Sequence, residues 1–361
     1  MNIDRIIEKA INGNPLSAIE LDSLLAVEDE EERELIFSAA RQIRAKYFGN
    51  KVFLYGFVYF STYCSNHCSF CYYRQTNQES PRYRKTSDET VAIASQLVKS
   101  GVHLIDLTMG EDPFILRSNP ELLVELVKKV TEETNVPVMI SPGLVKDKLL
   151  VELFKAGATW YACYQETHSP LLFRDLRIKQ SYHARMKKKA LAKQIGMLVE
   201  DGILLGVGET KTDIRDSLMA MMELGASQTR VMSFIPQNNT PLAHYKTPSR
   251  DLEMLVIAIM RIFFQDKLIP ASLDIDGISG LEQRLKAGAN VITSIIPPST
   301  GLAGVSQWDL DIDQGNRTVF QVKQVLTKLG MQGASLDEYW QWIICQQDKC
   351  KRRRDSYVSD R

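Results

Sequence analysis

The sequence predicts a parallel (β/α)8 barrel of the TIM type with an N-terminal helical extension, and three observations carry that prediction. Five times a helical stretch ends at a glycine and passes within a few residues into an apolar run: KSGVHLIDL, KAGATWYAC, QIGMLVEDG, ELGASQTRV and KAGANVITS. Glycine takes the left-handed turn that ends a helix, so each is a short helix-to-strand loop. Three further apolar runs, VFLYGFVYF near the start, PVMISPG after Asn135 and LIPASLDI after the helix of residues 251–264, bring the strand count to eight. Eight strands alternating with helices suggest a closed barrel, and their unequal spacing argues against a solenoid repeat.

Residues 1–50 form the helical extension. Ser17-Ala18-Ile19-Glu20 reads as a capping box followed by leucines at helical spacing, and a second helix runs from about Glu30 to Gly49. This preface suits two roles, closing the bottom of the barrel or serving as an interaction arm. The barrel is expected over residues 51–315. Pro297-Pro298 breaks the pattern after the eighth strand, and residues 316–361 return to helix before a charged, disordered basic tail carrying KCKRRR.

Composition excludes several classes. Lys plus Arg and Asp plus Glu both number 44, so the formal net charge is zero and nothing draws the chain to nucleic acid or to an acidic membrane. No apolar run approaches the roughly 20 residues of a membrane span, and the start MNIDRIIEKA lacks a secretory apolar stretch. A soluble, cytoplasmic protein is expected.

In such barrels the reactive groups gather at the C-terminal ends of the strands. The first strand is followed by Cys64-Ser65-Asn66-His67-Cys68-Ser69-Phe70-Cys71. Three thiols at this spacing suit three irons of a 4Fe-4S cluster and leave the fourth iron open to an exogenous ligand. A closed zinc site with His67 as fourth ligand is the alternative, and a disulfide is disfavoured in a reduced compartment. Cys163 reads as a buried core residue, and Cys345 and Cys350 receive no role.

The other strand ends are also polar. Asp106, Gly110, Glu111 and Asp112 lie in or after the second strand, Ser141 and Gly143 end the third, and Tyr164 and Glu166 end the fourth. Gly206 and Gly208 end the fifth, Ser272 and Asp274 the seventh, and Thr293 and Ser294 the eighth, while Arg230 enters the sixth among apolar neighbours. Asp112, before Pro113, is a candidate helix cap. Asp106 shares one face of an apolar strand with Thr108, so its carboxylate must be paired or bind something. Asp201 reads as structural, and the GVG of residues 206–208 is too short for a nucleotide fingerprint.

The cysteine motif, with an aromatic before its last Cys, resembles the signature of the radical S-adenosylmethionine superfamily. The runs YFSTYCSNHCSFCYYR, DLTMGEDP, MISPGL, YQET, RVMSFIPQ and PASLDIDGISG resemble, in that order, the methylornithine synthase family of pyrrolysine biosynthesis. The likeness spans about residues 45–300, and the preface also resembles relatives around biotin synthase.

The resemblance implies a 4Fe-4S cluster on Cys64, Cys68 and Cys71, with S-adenosyl-L-methionine as co-substrate. It implies cofactor contacts from Phe70, Gly110, Glu111, Glu166, Arg185 and Ile235. It further implies a mutase that turns L-lysine into (3R)-3-methyl-D-ornithine, with substrate contacts from Asp106, Ser141, Tyr164, Arg230, Ser272 and Asp274. No side chain is required as catalytic acid or base, and a reductant such as a flavodoxin or ferredoxin is implied. For Arg185 the plain alternative is a solvated position on a basic helix with Lys187, Lys188 and Lys189. Two other functions compete: a related radical enzyme acting on another small amino acid, and a zinc-stabilised binding protein without activity.

Overall fold

The computed structural model describes residues 2–302, 304 and 316–359, with side chains described up to residue 349. The boundary expected at 315, and the KCKRRR side chains beyond Lys349, lie outside the described residues. All eight predicted strands form: β1 (Lys51–Ser61), β2 (Leu104–Met109), β3 (Val138–Ser141), β4 (Ala158–Ala162), β5 (Leu198–Leu205), β6 (Gln228–Ser233), β7 (Pro270–Ser272) and β8 (Val291–Ile295). They pair in parallel in the order β6-β5-β4-β3-β2-β1-β8-β7. The sheet closes between its ends through the Gln228–Leu268 bridge, where Thr229 N donates to Leu268 O at 3.0 Å and Leu268 N to Ser227 O at 3.1 Å. The result is the expected barrel.

Helices α1 (Ile3–Ile11), α2 (Ala18–Leu25) and α3 (Glu30–Phe48) precede β1. Between strands lie α4 (Ser87–Ser100), α5 (Pro120–Thr134), α6 (Asp147–Lys155), α7 (Pro170–Leu176), α8 (Tyr182–Ile195), α9 (Lys211–Leu224), α10 (Arg250–Phe263) and α11 (Leu281–Lys286). After the barrel come α12 (Val319–Lys328), the short strand β9 (Gln332–Gly333), which pairs with the start of β1, and α13 (Leu336–Ser359). The five glycines expected to end helices, Gly101, Gly157, Gly196, Gly225 and Gly288, all have positive φ, between 64° and 113°. The Ser17/Glu20 capping box is present, with Glu20 N donating to Ser17 Oγ and Ser17 N to Glu20 Oε2.

Two expectations change. The preface does not plug the barrel: α3 lies against α10, with Arg44 Nη1 donating to Ala289 O at 3.5 Å, and α2 lies against α9, where Arg215 Nη1 meets Asp22 at 2.7 Å. The bottom is filled by α13 instead. Its Tyr339 is fully buried, with its hydroxyl 2.6 Å from that of Tyr55 and its ring 4.8 Å from Phe53, and Trp342 stacks on Trp160 of β4 at 5.9 Å. Phe53 and Tyr55 are interior residues of β1, and Phe57 and Tyr59 follow on the same face toward the mouth. The charged end, expected to be disordered, continues α13 as far as Ser359, because the run after Tyr339 contains neither Gly nor Pro. Among the described residues, no helix is long and apolar enough to cross a membrane.

Candidate active site

One cavity opens at the C-terminal ends of the strands and collects fourteen of the fifteen expected site residues. Cys64, Cys68 and Cys71 line it with Phe70, Gly110, Glu111, Glu166, Arg185 and Ile235, and deeper in come Asp106, Ser141, Tyr164, Arg230 and Asp274. Ser272 is the exception. It is buried behind the wall, with its hydroxyl 3.4 Å from Asp274 Oδ2, so its contact is to Asp274 and not to the cavity.

At the outer end, the cysteine loop is fastened to the turn after β2. Ser65 N donates to Glu111 O at 3.0 Å, and a Cβ at Gly110 would stand 2.3 Å from Tyr63 O and 2.8 Å from Cys64 Cβ, so only glycine lets the loop come this close. Burial pushes the Cys64 thiol up to about 11, with the Cys68 charge adding to the shift. Cys71 is pushed higher, by burial first and then by Cys68 and Cys64. Thiols held protonated in this way ionise readily only beside a cationic partner such as a metal. The donor set, three sulfurs facing one cavity, fits a 4Fe-4S cluster with an open iron. His67 does not line the cavity, and among the described residues no three His, Cys, Asp or Glu side chains are grouped to hold a single metal ion. The geometry therefore gives no support to the zinc alternative.

Beside the thiols, Glu111 Oε1 accepts from Leu144 N at 2.9 Å and from Arg185 Nη1 at 3.2 Å. Arg185 is 2% exposed and also donates to Tyr164 O at 2.8 Å. The solvated reading of this helix face is thus wrong. Arg185, Lys188, Lys189 and Ala192 recur at helical spacing and form the buried side of α8. Glu166 takes a left-handed backbone, φ 68°, and pairs with Arg177 at 2.6 Å.

The inner end is a set of charges. Arg230 gives Nε to Glu200 Oε1 at 2.7 Å and Nη1 to Thr293 Oγ1 at 3.1 Å, and Tyr164 donates its hydroxyl to Glu200 Oε2 at 3.0 Å. Arg230 Nη2 is buried without a protein partner. Asp274 accepts from Tyr59 Oη at 2.8 Å, Ser294 Oγ at 2.7 Å and Arg317 Nη1 at 2.8 Å. Although burial opposes ionisation, Arg317 and these donors hold the Asp274 carboxyl below its ordinary range. Among the described residues Asp106 makes no ion pair, although Arg230 is near enough to favour its charged form. Its Oδ1 accepts from Ser141 Oγ at 2.8 Å, its Oδ2 has no partner, and burial, reinforced by Glu200, raises it to about 7.

Elsewhere the bland readings hold. Asp201 pairs with Lys189 and His168 within the barrel wall, away from the cavity. Asp112 caps the turn by accepting from Phe114 N at 3.0 Å and also holds Arg84 Nη2 at 2.9 Å. Cys163 is buried, and also borders the cavity. Sequence reasoning missed Glu200, Arg317, Arg177 and Gln180. Glu200 had a signal: in LVEDG it alternates with Asp201, so if one carboxylate faces the wall the other faces the barrel interior.

Comparison with known proteins agrees with this geometry. The model of the Radical SAM superfamily matches residues 58–221. The 3-methylornithine synthase of Methanosarcina barkeri is 44% identical over 95% of this chain and 97% of its own length. That of Methanosarcina acetivorans is 43% identical over 95% and 98%. A crystal structure of methylornithine synthase superposes with a TM-score of 0.88 at 43% identity, covering 93% of this chain and 99% of that one. Enzymes of the radical S-adenosylmethionine superfamily use a 4Fe-4S cluster and S-adenosylmethionine. The chain belongs to that superfamily and, within it, to the 3-methylornithine synthase family.

Proposed function

We propose that this chain is a radical S-adenosylmethionine mutase that converts L-lysine to (3R)-3-methyl-D-ornithine for pyrrolysine biosynthesis. The observation that carries the reading is a single cavity with three thiols at its mouth and one uncompensated carboxylate, Asp106, at its inner end. When bound, the cluster and S-adenosylmethionine supply, after one-electron reduction by a donor such as a flavodoxin or ferredoxin, a 5′-deoxyadenosyl radical able to take hydrogen from a lysine carbon. The residues proposed to hold that pair are Cys64, Cys68 and Cys71 for the cluster, and Phe70, Gly110, Glu111, Glu166, Arg185 and Ile235 for S-adenosylmethionine.

Lysine carries two ammonium groups and one carboxylate, a net charge of +1. In the cavity Glu200 offsets Arg230 and Asp274 offsets Arg317, so Asp106 is the group a net-positive ligand balances. Arg230 presents its free Nη2 to the substrate carboxylate, Asp106 takes one ammonium, and Asp274 is the acceptor for the other. Ser141 orients Asp106, Ser272 acts through Asp274, and Tyr164 borders the substrate while bonded to Glu200. The apolar walls, Phe57, Ile203, Leu204 and Met232 among them, exclude water while reactive fragments recombine. No acid or base is assigned. Side-chain-deuterated lysine supplies the test: deuterium is expected in 5′-deoxyadenosine, and 5′-deoxyadenosine formed without deuterium would reject lysine as the hydrogen donor.

A further inference from the structure

The connection between α7 and α8 faces the middle cysteine and is not accounted for by substrate or S-adenosylmethionine binding. Gln180 Nε2 donates to Cys68 Sγ at 3.0 Å, and Arg177 Nη1 lies 3.7 Å from the same sulfur. The two segments are tied together: Ser69 N and Ser69 Oγ both donate to Leu176 O, at 2.8 and 3.2 Å. Lys179 takes a left-handed backbone, φ 63°, and Gln180 N donates to Arg177 O at 2.9 Å, so the turn returns Gln180 to the side of Arg177. Arg177 also pairs with Glu166 at 2.6 Å and sits over the Phe70 ring at 5.5 Å. Its Nε is buried without a partner. Neither Cys64 nor Cys71 receives a side-chain donor among the described contacts; their donors are backbone amides, Asn66 N at 3.5 Å and Glu111 for Cys64 and Tyr73 for Cys71.

We infer that Gln180 and Arg177 are positioning residues that set the reduction potential of the cluster through N–H···S bonds to Cys68. The inference rests on the reading of the cysteine loop as the cluster site. Adding an electron to the cluster increases the negative charge on its thiolate ligands, so donors aimed at a ligand sulfur favour the reduced form. The charge of Arg177 is largely offset by Glu166, which leaves hydrogen bonding as the main lever and makes Gln180, a neutral donor, the cleaner residue to change. Because Arg177 joins Cys68 to Glu166, the same contact links the cluster ligand to a proposed S-adenosylmethionine contact.

The test uses the full-length protein, reconstituted anaerobically without S-adenosylmethionine and titrated with dithionite, the reduced cluster being read by EPR. Iron and sulfide content of the parent tests the cluster reading separately: a parent without a cluster fails that reading, not this one. With Gln180→Leu at parental iron content, the ratio of reduced to oxidised cluster at a fixed potential is expected to fall about tenfold, a shift of about 59 mV to more negative potential for one electron. Gln180→Met, which keeps the reach of the side chain and drops only the amide, carries the same expectation if the leucine variant loses iron. Independently of any variant, the parent grown with guanidino-15N arginine is expected to show a 15N coupling to the reduced cluster. An unchanged midpoint in the variants, or no 15N coupling in the parent, overturns the inference.

Discussion

Replacing Asp106 by Asn tests the charge arrangement of the cavity through stability, before any turnover is measured. Asp106 is fully buried, with one oxygen on Ser141 and the other unpartnered, and its carboxyl is raised from 3.8 to about 7, by burial first and by Glu200 next. In the unfolded chain the group ionises near its ordinary value. As pH rises from there, the unfolded state releases a proton that the folded state keeps, so the fold loses stability through the window up to about 7. Above that both states are ionised and the cost is constant. A difference of about three units at 1.36 kcal/mol each is about 4 kcal/mol, an upper figure for a site that relaxes. Asn keeps the shape and removes the charge. The ligand-free variant is therefore expected to be more stable than the parent at about pH 8.5, by up to about 4 kcal/mol, with the gap narrowing toward pH 5. Denaturant unfolding of both proteins at the two pH values, at matched iron content, measures this. A gap that does not change with pH, or a variant less stable than the parent at the higher pH, would refute the reasoning. The same variant is expected to bind lysine at least tenfold more weakly, since the uncompensated carboxylate is gone.

Four further outcomes are expected. Arg230→Lys keeps the charge beside Glu200 but loses the planar fork, so KM for lysine should rise about tenfold or more, and an unchanged KM contradicts the carboxylate assignment. Gly110→Ala places a Cβ 2.3 Å from Tyr63 O, and iron bound per chain after reconstitution should drop; parental iron content would show that the loop has room to move. Tyr339→Ala removes the ring that fills the barrel bottom, with an expected loss of about 3–5 kcal/mol in unfolding free energy and an unaltered EPR signal of the cluster. Ser272→Ala removes long contacts behind Asp274, 3.4 Å to its Oδ2, 3.3 Å from its N and 3.5 Å to Ser294 Oγ, each worth about 1 kcal/mol or less, so KM should stay within about fivefold, whereas a larger change would place Ser272 against the substrate.

The barrel was legible because each strand is announced by local chemistry. Before β2, β4, β5, β6 and β8 a glycine ends the preceding helix in the left-handed conformation, and an apolar run marks all eight, both properties of a few neighbouring residues. The mouth was legible for the same reason, since strand ends fix which polar residues face it. What escaped the sequence depends on pairing across the barrel. Glu200 is 30 positions from Arg230, and Arg317 is 43 from Asp274, so nothing local marks either as a partner. Arg185 was open to a solvated reading because its helix is basic along its length, while its buried side is set by packing against Glu111 and Tyr164 O. The bottom plug was missed because Tyr339 and Trp342 lie in the first two turns of a C-terminal helix that is polar over most of its length. Ser272 is the converse case: strand and strand end are as expected, while its hydroxyl lies against Asp274 and Ser294.

The most direct measurement is product identity. The anaerobically reconstituted protein, given S-adenosylmethionine, a one-electron reductant and uniformly carbon-13-labelled L-lysine, should yield a branched, fully labelled isomer of unchanged mass, identified by NMR as 3-methylornithine. Lysine recovered unrearranged, from protein that holds its cluster and cleaves S-adenosylmethionine, would contradict the proposed mutase.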